Sequence, residues 1–356
     1  MDNRMIKPEK LQRGDTIAAI SLSWGGAGGI PYRYEIGRKQ LEETFGVTVV
    51  PTKNALRSAD WIYKNPKARA EDLMEALADS TIKGIISTIG GDDSIRTLPY
   101  MDLATIRENP KVFLGFSDTT ITHFCFYKAG VTSFYGTSLM TGFAENGGMH
   151  QYQMEDIQKT LFDNQPIGQI QPNTVGWTSE MLDWNDATNQ SIKRTLQAAS
   201  PWTFLQGKGT VQGTLLGGCF EILDFLKDTP FWVEPKEWKD KILFLETSEM
   251  KLKPDNFKWV LRNYAASGIL HQINGLLLAR PYDNLYKEEY DKALLTVIRE
   301  EEGLAQLPII TGMDFGHTSP IFTLPYGVLA EINCEQQTFS ILESACREEM
   351  SKGMNE

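Results

Sequence analysis

Short apolar, β-branched runs alternate along the front half of the chain with stretches whose apolar positions follow a helical period. The runs at 16–21, 47–50, 83–89, 111–114 and 131–136 predict strands. Residues 34–45 and 119–129 read as helices, as does 67–79, where Ala70, Leu73, Met74 and Leu77 share a face. A further helix is expected from Ser94 to about Met101. Strands alternating with helices predict an α/β fold, a parallel sheet covered by helices on both faces. In such a sheet ligands bind beyond the carboxyl ends of the strands. Two polar turns fall on that edge: Gly90-Gly91-Asp92-Asp93-Ser94, and Gly115-Phe116-Ser117-Asp118.

The texture changes from about 145 to 210. Turn-forming residues dominate, and Trp177, Trp184 and Trp202 are scattered among polar positions. Beyond Gly209 the pattern resumes. Strands are expected at 210–216, 241–245, 275–279 and 308–311, and helices at 255–267 and 288–301. A turn at Gly217-Gly218 should lead into a helix through Phe225, and a hairpin at 328–342 closes the chain. The predicted organisation is an N-terminal unit at 1–165, a linker with a Trp-bearing loop at 166–208, and a C-terminal unit at 209–356.

With 356 residues the chain is long enough for two cores. Its formal charge of −11 argues against a nucleic acid polymer or an anionic membrane as partner. No run approaches the roughly 20 apolar residues that span a bilayer, and the first ten residues lack an export core. Cys125, Cys219, Cys334 and Cys346 have no metal-type spacing and read as reduced thiols, which makes a cytoplasmic location the expectation.

Ser117 lies between an apolar strand and a helix start, where a side chain is presented beside free N–H groups. The position suits a nucleophile over an oxyanion site, but the motif by itself fits a helix cap better, at Ser117 or Asp118. A serine nucleophile needs a base, and there are four histidines. His123 follows in the same helix and points elsewhere, as a packing or surface residue. His150 lies in a polar turn region. His271 precedes an apolar strand with no carboxylate next to it. His317 sits in a glycine-flanked turn after a strand. Glu246 ends the wholly apolar run 242–245, so it is partly desolvated and needs a partner, unless it simply opens a polar loop. Gly90-Gly91 can bring a backbone N–H close to a reacting carbonyl. The same loop is similar to the Gly-Gly-Asp loop of phosphofructokinase-like and NAD kinase-like phosphotransferases, which leaves a rival reading open.

In order along the chain, residues 87–94, Gly115-Phe116-Ser117-Asp118, Leu215-Leu216-Gly217-Gly218, Leu245-Glu246 and Gly316-His317 resemble the serine peptidase family of LD-carboxypeptidases and microcin C immunity peptidases. The Trp177 to Trp184 insert is similar to the microcin-immunity branch. The resemblance implies a flavodoxin- or Rossmann-like parallel α/β domain followed by a smaller α/β domain with a mixed sheet or barrel. It implies Ser117 as nucleophile, His317 as general base and acid, Glu246 as the residue orienting it, and Gly91 and Asp118 as oxyanion donors. The implied substrate is a murein LD-tetrapeptide or a peptidyl- or aminoacyl-nucleotide. Trp177 or Trp184 either stacks on the base or packs under the loop. No metal or cofactor is implied, and the usual assembly is a homodimer. A non-catalytic binding relative with the same architecture is the third reading. Cys219 departs from the branch, where Asn often follows the two glycines; it reads as a structural rather than a reactive thiol.

Overall fold

A computed structural model describes residues 5–348. The chain builds two sheets. The first has six strands: β1 (Thr16–Ile20), β2 (Thr48–Pro51), β3 (Ile82–Ser87), β4 (Val112–Gly115), β5 (Phe134–Tyr135) and a late-arriving Leu324–Pro325, in the order Leu324–Pro325, β5, β4, β3, β1, β2. The first five are mutually parallel, and Leu324–Pro325 adds antiparallel to β5. β1, β3 and β4 are almost wholly apolar because both faces are covered, as parallel sheets require.

The second sheet is mixed and has eight strands: β6 (Gly168–Ile170), β7 (Thr203–Gln206), β8 (Thr210–Cys219), β9 (Lys241–Glu246), β10 (Gly275–Ala279), β11 (Ile309–Met313), β13 (Leu329–Asn333) and β14 (Thr338–Ile341), with Leu324–Pro325 counted as β12. β8, β9, β10 and β11 run parallel at its centre, and antiparallel strands flank them. It thus has more strands than the first sheet. Residues 166–208 are not all connection, since β6 and β7 form its two edges.

Three local expectations differ from the structure. Residues Ser94–Tyr100 form a 3₁₀ helix containing Pro99, whose missing N–H and ring disfavour an α-helix. Gly217 and Gly218 are not a turn. β8 runs through them to Cys219 because β9 continues alongside, pairing Gly217 with Phe244 and Cys219 with Glu246. The stretch 131–136 contributes only Phe134–Tyr135 as strand. No helix among the described residues is long and apolar enough to cross a membrane.

Candidate active site

The carboxyl ends of β4 and β9 meet. After β4, Phe116 is extended and the chain turns through a 3₁₀ segment, Ser117–Thr119, into the helix Thr120–Ala129. Ser117 itself has φ of 60°, a left-handed conformation that a non-glycine residue adopts only at a cost. The turn is held by its own hydroxyls: Thr119 Oγ1 donates to Phe116 O at 2.8 Å, and Thr120 Oγ1 donates to Ser117 O at 2.7 Å. Neither Ser117 nor Asp118 caps the helix through a side chain. The result is a strained strand-to-helix elbow that presents Ser117 Oγ.

The loop after β3 packs on this elbow. A Cβ on Gly90 would fall 3.0 Å from Ser117 Cβ and 3.1 Å from its Oγ, so a side chain there would crowd the serine, and glycine eases this approach. Ser94 donates its N–H to Asp118 Oδ2 and its hydroxyl to Asp118 O, both at 2.8 Å. Asp93 pairs with Arg69 at 2.7 Å and with Arg96 at 3.0 Å. Of this loop's polar side chains, Ser94 thus braces the elbow, while Asp93 is held by the two arginines.

From the second sheet come Glu246 and His317. Glu246 ends β9 and is fully buried. His317 lies in the turn after β11. Gly316, with φ of 85°, lets that turn lie against the acid, since a Cβ there would fall 2.7 Å from Glu246 Cβ. His317 Nδ1 is 2.6 Å from Glu246 Oε2, and Nε2 is 3.1 Å from Ser117 Oγ. Glu249 Oε2 also lies 3.1 Å from Nε2. Burial pulls the imidazole down, but Glu246 and then Glu249 and Glu221 outweigh it, and the His317 pKa is raised to about 9. Ser117, His317 and Glu246 therefore form one hydrogen-bonded chain across the two sheets.

Sequence reasoning missed other contacts of the site. Tyr135 donates to Glu246 Oε1 at 2.5 Å and accepts from the Ser117 N–H at 3.0 Å. It passes for a core residue in a short apolar strand, and only its place beside β4 distinguishes it. Glu249 reads in the sequence as one of several polar loop residues. Cys219 is buried; its N–H donates to Thr120 Oγ1 at 3.1 Å, and burial raises the thiol well above its ordinary value. That is the behaviour of an inert structural thiol.

The other histidines are hydrogen-bonded or paired to other groups. His123 is fully buried, with Nε2 3.0 Å from Gly115 O and Nδ1 2.9 Å from Ser133 Oγ. His150 lies 3.5 Å from Glu145. His271, which has no carboxylate next to it in the sequence, has Glu302 2.8 Å away in the fold. The two candidate tryptophans part company. Trp177 is buried under Arg280, whose guanidinium lies 5.1 Å from the ring centroid, while the partly buried Trp184 has Arg33 over it at 4.5 Å. Thr178 and Ser319 exchange both backbone hydrogen bonds at 2.8 Å, tying the Trp-bearing segment to the His317 turn. Among the described residues, no group of three or more His, Cys, Asp or Glu side chains is placed to hold a metal ion.

Residues 17–136 match the LD-carboxypeptidase N-terminal domain, and residues 212–332 match the LD-carboxypeptidase C-terminal domain. The microcin C7 self-immunity protein MccF of Escherichia coli is 27% identical over 336 residues, covering 94% of each chain. A probable murein peptide carboxypeptidase of Bacillus subtilis is 25% identical over 344 residues, covering 96% of each. Among solved structures, an MccF-like protein from Streptococcus pneumoniae in complex with AMP superimposes with a TM-score of 0.84 at 32% identity, covering 92% of this chain and 98% of that one. With both halves matched and these likenesses running nearly end to end, the chain belongs to the LD-carboxypeptidase family of peptidases.

Proposed function

We propose that the protein is a serine-type hydrolase that cleaves an amide in a small peptide-like molecule by acylation of Ser117. The neutral form of His317, whose share grows as pH rises toward about 9, takes the hydroxyl proton at Nε2 as Ser117 Oγ attacks the carbonyl carbon. Glu246 holds the imidazole through Nδ1–H and stabilises the imidazolium. The N–H groups of Gly91 and Asp118 receive the oxyanion. His317 then returns the proton to the leaving amine as the C–N bond breaks. Water next attacks the acyl ester and gives a proton to His317, which passes it to Ser117 Oγ as the ester C–O bond breaks and the acid leaves. No metal or cofactor takes part in these steps. The observation that carries the reading is the hydrogen-bonded chain from Ser117 Oγ through His317 to Glu246.

The likeness to an AMP-bound relative favours an acyl group joined to a nucleotide over a murein tetrapeptide. Trp184 is the better placed of the two tryptophans to stack on a base, because Trp177 is only 8% exposed. The phosphotransferase alternative draws no support from a Gly90–Ser94 loop in which Ser94 bonds Asp118 and Asp93 is paired with Arg69 and Arg96.

The test is Ser117→Ala, assayed on an aminoacyl sulfamoyl adenosine and on a murein tetrapeptide. Turnover should fall about 10⁴-fold or more, with the nucleotide-linked substrate the better one for the unmodified protein. Unchanged turnover rejects Ser117 as nucleophile. A serine-directed fluorophosphonate should label the unmodified protein and not the variant. Absence of labelling in both would mark a binding protein without acyl-transfer activity.

A further inference from the structure

The Ser117 elbow and Glu246 also meet through a hydroxyl that the acylation steps do not use. Tyr135 ends β5, in parallel register with Gly115 of β4, and is 1% exposed. A phenol has one proton to give. That proton goes to Glu246 Oε1 at 2.5 Å, so the Ser117 N–H, 3.0 Å away, must donate to the phenol oxygen. The second carboxylate oxygen, Oε2, meets His317. Both oxygens of Glu246 are therefore held, one from each sheet. The Tyr135 ring is fixed by Phe244, His123 and Tyr326, with centroids 5.4, 5.6 and 6.5 Å away. The same arrangement turns the Ser117 N–H inward, and an oxyanion must then find its donors on neighbouring residues.

We propose that Tyr135 is a positioning residue for acyl transfer, whose hydroxyl orients Glu246 and the Ser117 backbone together so that the base from one sheet meets the nucleophile from the other. This rests on acylation at Ser117. The titratable groups around Glu246 are Tyr135 from β5, His317 from the turn after β11, Cys219 at the end of β8, Glu221 just after it and Tyr326 after β12. Glu221 and Glu249 act on His317 as well. Cys219 and Tyr326 stay neutral through burial, and Glu221 accepts from the Ser248 N–H at 3.0 Å and the Ser248 hydroxyl at 2.8 Å. Replacing the Tyr135 hydroxyl thus removes one donor and leaves the remaining charges in place.

Tyr135→Phe should lower kcat by about ten- to a hundredfold, the loss expected for a hydrogen bond to a charged group, with KM unchanged. With one donor fewer, the carboxylate holds the imidazolium more tightly, and the acid limb of kcat/KM should move to higher pH. The rate of fluorophosphonate labelling should show the same displacement. Incorporating 3-fluorotyrosine at position 135 keeps the shape, strengthens the donor, and should move the limb the other way; this reads the hydroxyl even where the Phe variant fails to fold. An unmoved limb in both proteins overturns the proposal, even if Tyr135→Phe is slow, because that pattern marks packing alone. If Ser117→Ala remains active, the acylation reading fails. If that variant is dead and both Tyr135 changes are silent, only the role of Tyr135 fails.

Discussion

Two histidines adjoin the same elbow and end with opposite electrostatics. His123 packs beneath it with neutral partners, the Gly115 carbonyl and the Ser133 hydroxyl. Burial drives its pKa down to about 3, against a smaller opposing effect of the Gly115 hydrogen bond. His317 is nearly as buried, with its side chain 10% exposed, yet it is raised to about 9. The largest part of the difference is the buried carboxylate of Glu246 at 2.6 Å, with Glu249 and Glu221 adding to it. Desolvation makes any buried imidazole reluctant to charge, and a close anion reverses that preference. The first region is a neutral scaffold, and the second can hold and move a proton.

The largest way to break this contrast is Glu246→Gln. It makes the surroundings of His317 resemble those of His123. Turnover should fall about 10³- to 10⁴-fold, since neither the imidazolium nor the productive tautomer is stabilised. Titration followed by NMR should show His317 falling below its unfolded value. Wild-type turnover in this variant would mean that Glu246 does not orient the base.

Stability against pH should reveal both histidines at once. Between pH 3 and 6.5 the folded protein binds fewer protons at His123 than the unfolded chain, so stability contributed there grows as pH rises. Between 6.5 and 9 the folded protein binds more at His317, so stability there declines as pH rises. Each contribution is on the order of a few kcal/mol at its limit; buried Asp156, raised to about 7, opposes that of His123 in the acid range. Thermal unfolding across this range should lose its alkaline decline in His317→Gln while its acid-range profile stays the same. A decline identical in both proteins would refute the assignment.

The smallest expected effect concerns Glu249, whose side chain is 60% exposed beside His317 Nε2. Glu249→Gln should lower the acid limb of kcat/KM by about half a pH unit, as befits a solvent-exposed charge. High salt should erase the difference by screening. A displacement as large as that from Glu246→Gln would show that Glu249, rather than Glu246, sets the imidazole.

Much of this was legible beforehand for a definite reason. Ser117 and Glu246 each stand where an apolar strand stops, and His317 lies in a glycine-flanked turn after another strand. The alternation of strands and helices indicated which edge of a parallel sheet would carry such ends. Contacts between distant segments left no such trace. Tyr135 looks like any aromatic in a short core strand until β5 is known to lie beside β4. His271 seems to lack a carboxylate until Glu302 folds against it. Gly217 and Gly218 look like a turn until β9 extends past them.

The sequence alone determined the α/β class, the strand ends that carry Ser117 and Glu246, and the chemical types waiting at them, because burial patterns and turn preferences act over a few residues. Only the tertiary structure decided which histidine is paired with an anion, which hydroxyl joins the two sheets, and which tryptophan stays partly open. Those outcomes depend on distances between residues such as Ser117 and His317, 200 positions apart. Desolvation and charge pairing take their values only once such groups are brought within a few ångströms of each other.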